Sequence, residues 1–459
     1  MMVRMWCATA WLKTFWRPMR FTKSRVRHTI LMFLAFWAVG ATAQIIPDSQ
    51  VNRCGSYERD QQMMLRSAEW RSRRARMDTL ISTYLKDRKK LRLTAEEVIR
   101  IPVVVHVIHD QAETSIGGVN NPNISDEQIR SQIEVLNEDY RRKPGTLGYN
   151  TNPVGADAYI EFYLAEFDPD GRSTTGITRH KYLDKTSFNP FSDDLLLANV
   201  AYWPSDKYLN IWTCRLTNSY LGIAQFPSVD KVDGLDTANQ PNYLTDGVII
   251  DFRYFGRKTG AITSRVYNLG RTTTHEVAHW LGLIHTWGDA VCGNDFCADT
   301  PPTEEPNRTT LCVEKFSNCN GVRTRNMIEN YLDYSPDSCM NVFTMDQVGR
   351  MRAVLALSPR RVSLVEYSKE GRLDPSDNLV VELYPNPARV ELNVDVRFAD
   401  FQDFNYSIFD LTGRLLARVA YQNVYSRRLK LDVSLLPPGN YMMQVTTQSE
   451  TITKRFVVN

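Results

Sequence analysis

Thr274-His275-Glu276-Val277-Ala278-His279-Trp280-Leu281-Gly282-Leu283-Ile284-His285 decides how this chain is read. His275 and His279 are four residues apart, so on a helix they share one face about one turn apart and can chelate a single ion. Gly282 can take a positive φ, end the helix and turn the chain back. That return brings His285 round as a third imidazole. Three imidazoles with a fourth position open to water suit a catalytic Zn²⁺. Glu276 lies off the ligand face, free to take a proton from that water and pass it to a leaving amine. Zinc lowers the pKa of bound water and polarises a carbonyl, so peptide hydrolysis is the reaction class the motif implies.

The elements around this helix interleave. Ile101-Pro-Val-Val-Val-His-Val-Ile108 is a β-branched run typical of a buried strand. Ser125-Asp-Glu-Gln128 reads as a capping box opening a helix with Ile129, Ile133, Leu136 and Tyr140 on one face. Ala158 to Ala165, Tyr208 to Leu216 and Gly247 to Asp251 read as further strands. The unit is therefore mixed α/β. Past a linker at 367–377 the pattern is all strand and turn. Val390, Leu392, Val394 and Val396 alternate with Glu391, Asn393 and Asp395, and Asp410-Leu-Thr-Gly413 is a hairpin turn. About 80 residues of short strands predict a small β-sandwich.

The rest of the composition fits an exported, folded protein. The chain has 459 residues and a net charge of +3, which disfavours a nucleic-acid binder. Lys23, Arg25 and Arg27 precede the apolar run Ile30–Val39, and Ala41-Thr-Ala43 reads as a cleavage site, so 1–43 is a signal peptide. No other segment is long and apolar enough to cross a bilayer, so the mature chain needs no transmembrane anchor. Residues 44–100 are polar, with 13 Lys and Arg against 8 Asp and Glu. We read them as a removable pro-segment whose runs Arg71-Ser-Arg-Arg-Ala-Arg76 and Arg88-Lys-Lys-Leu-Arg92 are exposed. Cys214, Cys292, Cys297, Cys312, Cys319 and Cys339 form an even set that implies three disulfides in an oxidising compartment. Fifteen pairings of six are open. Cys54 is left over, and its thiolate is a zinc ligand able to fill the open fourth position.

The motif resembles that of the metzincin metalloproteases. Residues 101–358 resemble the pappalysin family, especially its ulilysin-like bacterial branch. The likeness rests on Ile101-Pro-Val-Val-Val-His-Val, Leu221-Gly-Ile-Ala-Gln-Phe-Pro227, Gly270-Arg271, Asp299-Thr-Pro301 and Asn330-Tyr-Leu-Asp-Tyr-Ser335 with Cys339-Met-Asn-Val-Phe-Thr344. It implies a metzincin-type α/β catalytic domain at 101–366, a twisted mixed sheet plus zinc helix. His275, His279 and His285 would be ligands and Glu276 the general base. Leu221, Gly222, Ile223 and Ala224 would be the edge strand that pairs with substrate. Tyr334 would stabilise the tetrahedral intermediate. Asp337 would floor a pocket preferring Arg or Lys after the scissile bond. Cys54 would be a cysteine switch. Asp295, Asp299 and Thr300 would form a Ca²⁺ site. The disulfides would be Cys292–Cys319 and Cys312–Cys339, leaving Cys214–Cys297. Where the family carries a Met two residues before the Tyr, this chain has Leu332. That departure favours a surface-displayed binding protein with a degenerate metalloprotease domain, whereas the intact Glu276 and His set favours an enzyme.

Leu383-Tyr-Pro-Asn-Pro-Ala388, Asp410-Leu-Thr-Gly-Arg414, Leu436-Pro-Pro-Gly-Asn-Tyr441 and Lys454-Arg-Phe-Val-Val-Asn459 resemble the C-terminal sorting domain of type IX secretion substrates. An immunoglobulin-like sandwich over 378–459 is implied. So is passage through the periplasm and across the outer membrane of a Gram-negative bacterium, with the type IX machinery as partner.

Overall fold

The computed structural model describes residues 50–90, 97–172, 174–227, 243–257, 259–369, 376, 378–398, 402–424 and 426–459. The expected signal peptide and most of the expected linker lie outside these residues. The stretch expected to be a pro-segment forms helices α1 (Ser56–Arg66) and α2 (Ala68–Lys90). The catalytic unit follows as β1 (Ile99–His109), α3 (Asp126–Tyr140), β2 (Ile160–Leu164), β3 (Ile177–Lys181), α4 (Asp194–Val200), β4 (Leu209–Cys214), β5 (Gly222–Ala224), β6 (Gly247–Asp251), α5 (Arg271–Trp280), β7 (Phe316–Cys319), β8 (Val322–Arg325), α6 (Met345–Leu357) and α7 (Pro359–Lys369). The C-terminal unit holds β9 (Val380–Tyr384), β10 (Glu391–Arg397), β11 (Gln402–Asp410), β12 (Leu415–Val424), β13 (Arg427–Asp432), β14 (Gly439–Thr447) and β15 (Thr451–Val458).

The long apolar β1 organises the main sheet. Its first half pairs with β2 and its second half with β3, while β4 lies parallel on its other side. The order β2-β1-β4-β6-β5 ends in β5, antiparallel to β6, so the sheet is mixed. Behind it, α3 presents Ile129, Ile133, Leu136 and Tyr140 to the core, and α5 adds Val277, Ala278 and Trp280. Ser125 caps α3, accepting from the Gln128 amide at 3.2 Å. The expected reciprocal bond is absent, because the Gln128 side chain donates to the Phe252 and Phe255 carbonyls. The full capping box stands at Thr344 and Gln347, opening α6.

The C-terminal unit is the expected sandwich of two antiparallel sheets, β13-β10-β9 and β12-β11-β14-β15. Leu392, Val394 and Val396 face Ile408, Met443, Val445 and Phe456 across its core. The simple alternation fails at two places. Val390 precedes β10 and is exposed, and Asp395 is buried because Arg428 and Tyr384 satisfy its carboxylate.

Two further expectations are corrected. Within Arg71–Arg76, Arg73 and Arg74 are buried rather than exposed. Arg73 pairs with Glu69 one turn earlier, and Arg74 reaches Asp60 at 3.4 Å and lies over the Phe226 ring. Cys292–Cys319 and Cys312–Cys339 are disulfides, but Cys214 and Cys297 are both free and buried. Cys214 ends β4 among Phe188, Leu197 and Ile223, whereas Cys297 lies in the loop after the His cluster, its amide bound to Asp295. The two thiols belong to different packing environments.

Candidate metal centre and active-site cleft

Helix α5 ends as its sequence dictates. Gly282 takes φ +88°, its amide donates to the His279 carbonyl at 2.8 Å and the Leu283 amide to Ala278 at 3.0 Å. This pair of bonds is the Schellman pattern, which tucks the last carbonyls in and reverses the chain. His285 returns to face His275 and His279. The three Nε2 atoms lie 3.1, 3.2 and 3.3 Å apart. Each Nδ1 is held by an acceptor: the Tyr331 carbonyl at 2.7 Å, the Leu283 carbonyl at 2.8 Å and the Asp289 carboxylate respectively. Carbonyl oxygens only accept, so the protons sit on Nδ1 of His275 and His279 and their Nε2 lone pairs point inward. Burial lowers the pKa of both rings well below the ordinary imidazole value and keeps them neutral. Asp289 orients His285, whose ring stacks on Trp287 at 4.2 Å.

The fourth donor is Cys54. Its sulfur and the three imidazole nitrogens lie within 4.8 Å of one another, all from buried residues. Lone pairs converging in a dry site repel unless a cation sits between them. Ligands at about 2.0–2.1 Å in a tetrahedron are roughly 3.3 Å apart, which the imidazole spacing matches. Burial and the nearby Glu276 carboxylate push the Cys54 thiol up, and a dication among these donors reverses that balance. The donor set fits zinc.

Glu276 is buried, and burial raises its pKa to about 8. Its Oε2 accepts from the Ser56 hydroxyl at 2.6 Å, and its Oε1 has no hydrogen-bond partner. A Cβ on Gly222 would stand 2.8 Å from Glu276 Cγ, so β5 presses directly on this carboxylate and needs glycine there. The Tyr334 ring lies 5.0 Å from that of His285 and 5.8 Å from that of His275, packed with Cys54 and Trp287. Leu332, at the departure from the family pattern, is fully buried in the main core.

The outer edge of β5 is covered by residues 52–56. Asn52 forms a parallel bridge with Tyr220, the Leu221 amide donates to Asn52, the Gly55 amide donates to Gly222, and the Ala224 amide donates to Ser56 Oγ. At one end of this contact Arg53 meets Asp337 in a fully buried ion pair of 3.1 Å, beneath the Tyr267 ring at 4.6 Å. The second Asp337 oxygen accepts from the Leu269 and Arg271 amides. Asp295 and Thr300 are joined by a hydrogen bond of 2.7 Å, and Asp299 precedes Thr300 in the chain. Asp295 accepts from the Cys297 amide and Thr300 Oγ1, and Asp299 Oδ2 from the Asp346 amide.

Sequence reasoning missed Arg53, Ser56, Asp289 and Trp287. The i,i+4 spacing of His285 and Asp289 was a usable signal. Arg53 and Ser56 flank Cys54, but their partners are more than 200 residues away.

Three imidazoles, a cysteine sulfur and a buried glutamate beneath a strand edge define a metalloprotease. Residues 193–356 match the peptidase M43 family, described as pregnancy-associated plasma protein-A. Residues 382–459 match the secretion-system C-terminal sorting domain. An extracellular metalloprotease of Verticillium alfalfae is 30% identical over 57% of this chain and 77% of its own length. Mature mirolysin of Tannerella forsythia, solved with a cleaved peptide, is 38% identical over 60% of this chain and 98% of that one, with TM-score 0.51. A promirolysin mutant from the same organism is 35% identical over 69% and 98%, with TM-score 0.53. The chain belongs to the M43, or pappalysin, metalloproteases, and it is a mirolysin-like secreted member with a sorting domain.

Proposed function

We propose that this chain is exported as a latent zymogen and matures into a zinc endopeptidase that cuts before arginine or lysine. One observation carries this: consecutive residues of the pro-segment fill two sites at once, Cys54 joining the three imidazoles and Arg53 pairing with Asp337. A carboxylate fixed by two backbone amides in a closed pocket favours a guanidinium or ammonium strongly. Arg53 is then a built-in stand-in for the residue after the scissile bond.

His275, His279 and His285 would hold the zinc, with Cys54 as fourth donor until maturation. When bound, zinc polarises the scissile carbonyl and acidifies water. Glu276 accepts the proton from water and returns it to the leaving amine. Ser56 occupies Glu276 in the zymogen, so the base is freed only when the pro-segment leaves. Tyr334, beside His285, donates a hydrogen bond from its hydroxyl to the developing oxyanion. Substrate adds as a strand to the edge of Leu221 to Ala224 now held by residues 52–56, so pro-segment and substrate exclude each other.

Self-cleavage accounts for maturation. The run Arg71–Arg76 is helical and partly buried, which leaves Arg88–Arg92 as the run to examine. If the Glu276→Ala zymogen matures unaided in isolation, self-cleavage is excluded. Calcium remains part of the proposal at Asp299, whose Oδ1 is buried without a hydrogen-bond partner, beside Asp295 and Thr300. Type IX export from a Gram-negative cell through the periplasm follows the sorting domain, and the boundaries 1–43, 44–100, 101–366, 367–377 and 378–459 stand as proposed.

Peptide-library digestion by the matured enzyme tests the central reading. Cuts clustering before Arg or Lys, absent with Glu276→Ala and dispersed with Asp337→Asn, are expected. Glu276-dependent cuts without that preference would discard the Asp337 pocket.

A further inference from the structure

A second basic side chain of the pro-segment is also held by the catalytic unit. Arg59, one turn into α1, places Nη2 2.5 Å from Asp194 Oδ2, 3.3 Å from Thr245 Oγ1 and 3.5 Å from Gln225 Oε1. The three oxygens come from separate elements: Asp194 begins α4, Gln225 follows β5 directly, and Thr245 lies just before β6. They are arranged independently of Arg59. Thr245 Oγ1 donates to Gln225 Oε1 at 2.7 Å, and the Leu195 amide donates to Asp194 Oδ1, leaving Oδ2 for the guanidinium. Gln225 and Thr245 are 6% and 5% exposed. Acceptor oxygens with one carboxylate among them recognise a cation.

Its position along the cleft is fixed by the strand contact. The pro-segment runs parallel to residues 220–225, pairing Asn52 with Tyr220, Gly55 with Gly222, Ser56 with Ala224 and Arg59 with Gln225. Arg53 and Asp337 lie at the first end, the Cys54 and His cluster follows, and Asp194 lies at the far end. Gln225 is three residues beyond Gly222, which touches Glu276, so the span is about 10 Å, or some three residues of extended peptide. None of the three oxygens belongs to the pro-segment, so all remain when it departs.

We propose that Asp194, Gln225 and Thr245 form a second cation-recognising subsite of the mature enzyme, which takes an Arg or Lys side chain of the substrate upstream of the scissile bond. The upstream placement rests on Asp337 taking the residue after that bond. The enzyme then reads two basic residues, one on each side of the cut, and the pro-segment imitates both with Arg53 and Arg59.

Matured enzyme is assayed on peptides with Arg fixed after the scissile bond and with Arg, Gln or Glu placed two, three or four residues before it. At one of these positions kcat/KM is expected to favour Arg over Gln roughly fivefold, the scale of a partly exposed ion pair, with Glu poorest. Asp194→Asn brings that ratio near one while the preference after the bond is kept. Gln225→Glu adds a charge and raises the ratio, a gain that mere structural damage does not produce. A flat upstream profile in the unmodified enzyme, or a ratio that Asp194→Asn leaves unchanged, overturns the subsite. Loss of selectivity after the bond, with the upstream ratio intact, would instead sink the Asp337 pocket.

Discussion

Ser56 shows how one side chain can serve both strand pairing and the proposed latency. Its hydroxyl accepts from the Ala224 amide at 2.7 Å and donates to Glu276 Oε2 at 2.6 Å, covering an edge-strand donor and the proposed base together. An intramolecular hydrogen bond contributes about 0.5–1.5 kcal/mol, and the upper end of that range corresponds to about tenfold. Ser56→Ala is therefore expected to speed maturation of the full chain by about tenfold, followed as loss of the zymogen band over time. An unchanged rate would mean Ser56 adds nothing to latency. At this scale the sequence was partly legible. His275, Glu276, His279 and His285 declare themselves because their spacing is local. Ser56, Arg53 and Arg59 do not, because a Ser or Arg beside a Cys has no meaning until a distant Glu276, Asp337 or Asp194 is brought to it.

At the scale of elements, the same division holds. The 3.6-residue period of α3, the β-branched run of β1 and the Gly282 stop are properties of contiguous residues, and all three appear as read. The burial of Arg73 and Arg74 was not legible, because Arg74 gains Asp60 and Phe226 only on packing, and the local Glu69 one turn before Arg73 does not by itself imply burial. The Cys214–Cys297 pairing failed because an even count says nothing of which layer each thiol occupies.

Two element-scale predictions follow from the supports of the cleft. Asp246 ties the C-terminal end of α5 to α7. It accepts from Trp280 Nε1 at 2.9 Å and from Arg361 at 2.8 and 2.9 Å, and the Arg361 guanidinium lies 3.7 Å over the Trp280 ring. Burial alone would raise the Asp246 carboxyl, but Arg361 and Arg360 hold it below its ordinary 3.8. Its contribution is present above that ordinary value and is lost as pH falls through the lowered one. Acid unfolding below about pH 4 should thus be shallower in Asp246→Asn, although that variant is less stable at neutrality. An identical acid limb in both proteins would contradict this. The Cys312–Cys339 bridge closes 27 residues and ends two positions after Asp337. Cys312→Ser/Cys339→Ser is expected to lower unfolding free energy by about 3 kcal/mol in denaturant titration, and a change under 1 kcal/mol would argue against loop closure as its role.

On the scale of the whole molecule, the proposed pro-segment is a packed part of the fold. Met77 and Ile81 of α2 bury against Ala353 and Val354 of α6, each contributing about 1.5–3 kcal/mol. Asp78 pairs with Arg350, whose Nε donates to the Gly282 carbonyl at 2.7 Å, so α2 also braces the turn that returns His285. Among the described residues the sorting domain meets the catalytic unit around Phe167, where Arg427 pairs with Glu166 and covers the Phe167 ring, which also packs on Tyr421. That contact is remote in sequence from the His cluster and shares no residue with the cleft.

Latency through Cys54 is the central claim, and zinc K-edge X-ray absorption on the full chain before and after maturation tests it most directly. One sulfur neighbour at about 2.3 Å with three nitrogen neighbours is expected in the zymogen, and an oxygen in place of that sulfur after maturation. A zymogen spectrum with no sulfur scatterer, or a sulfur that persists in the active enzyme, would contradict it.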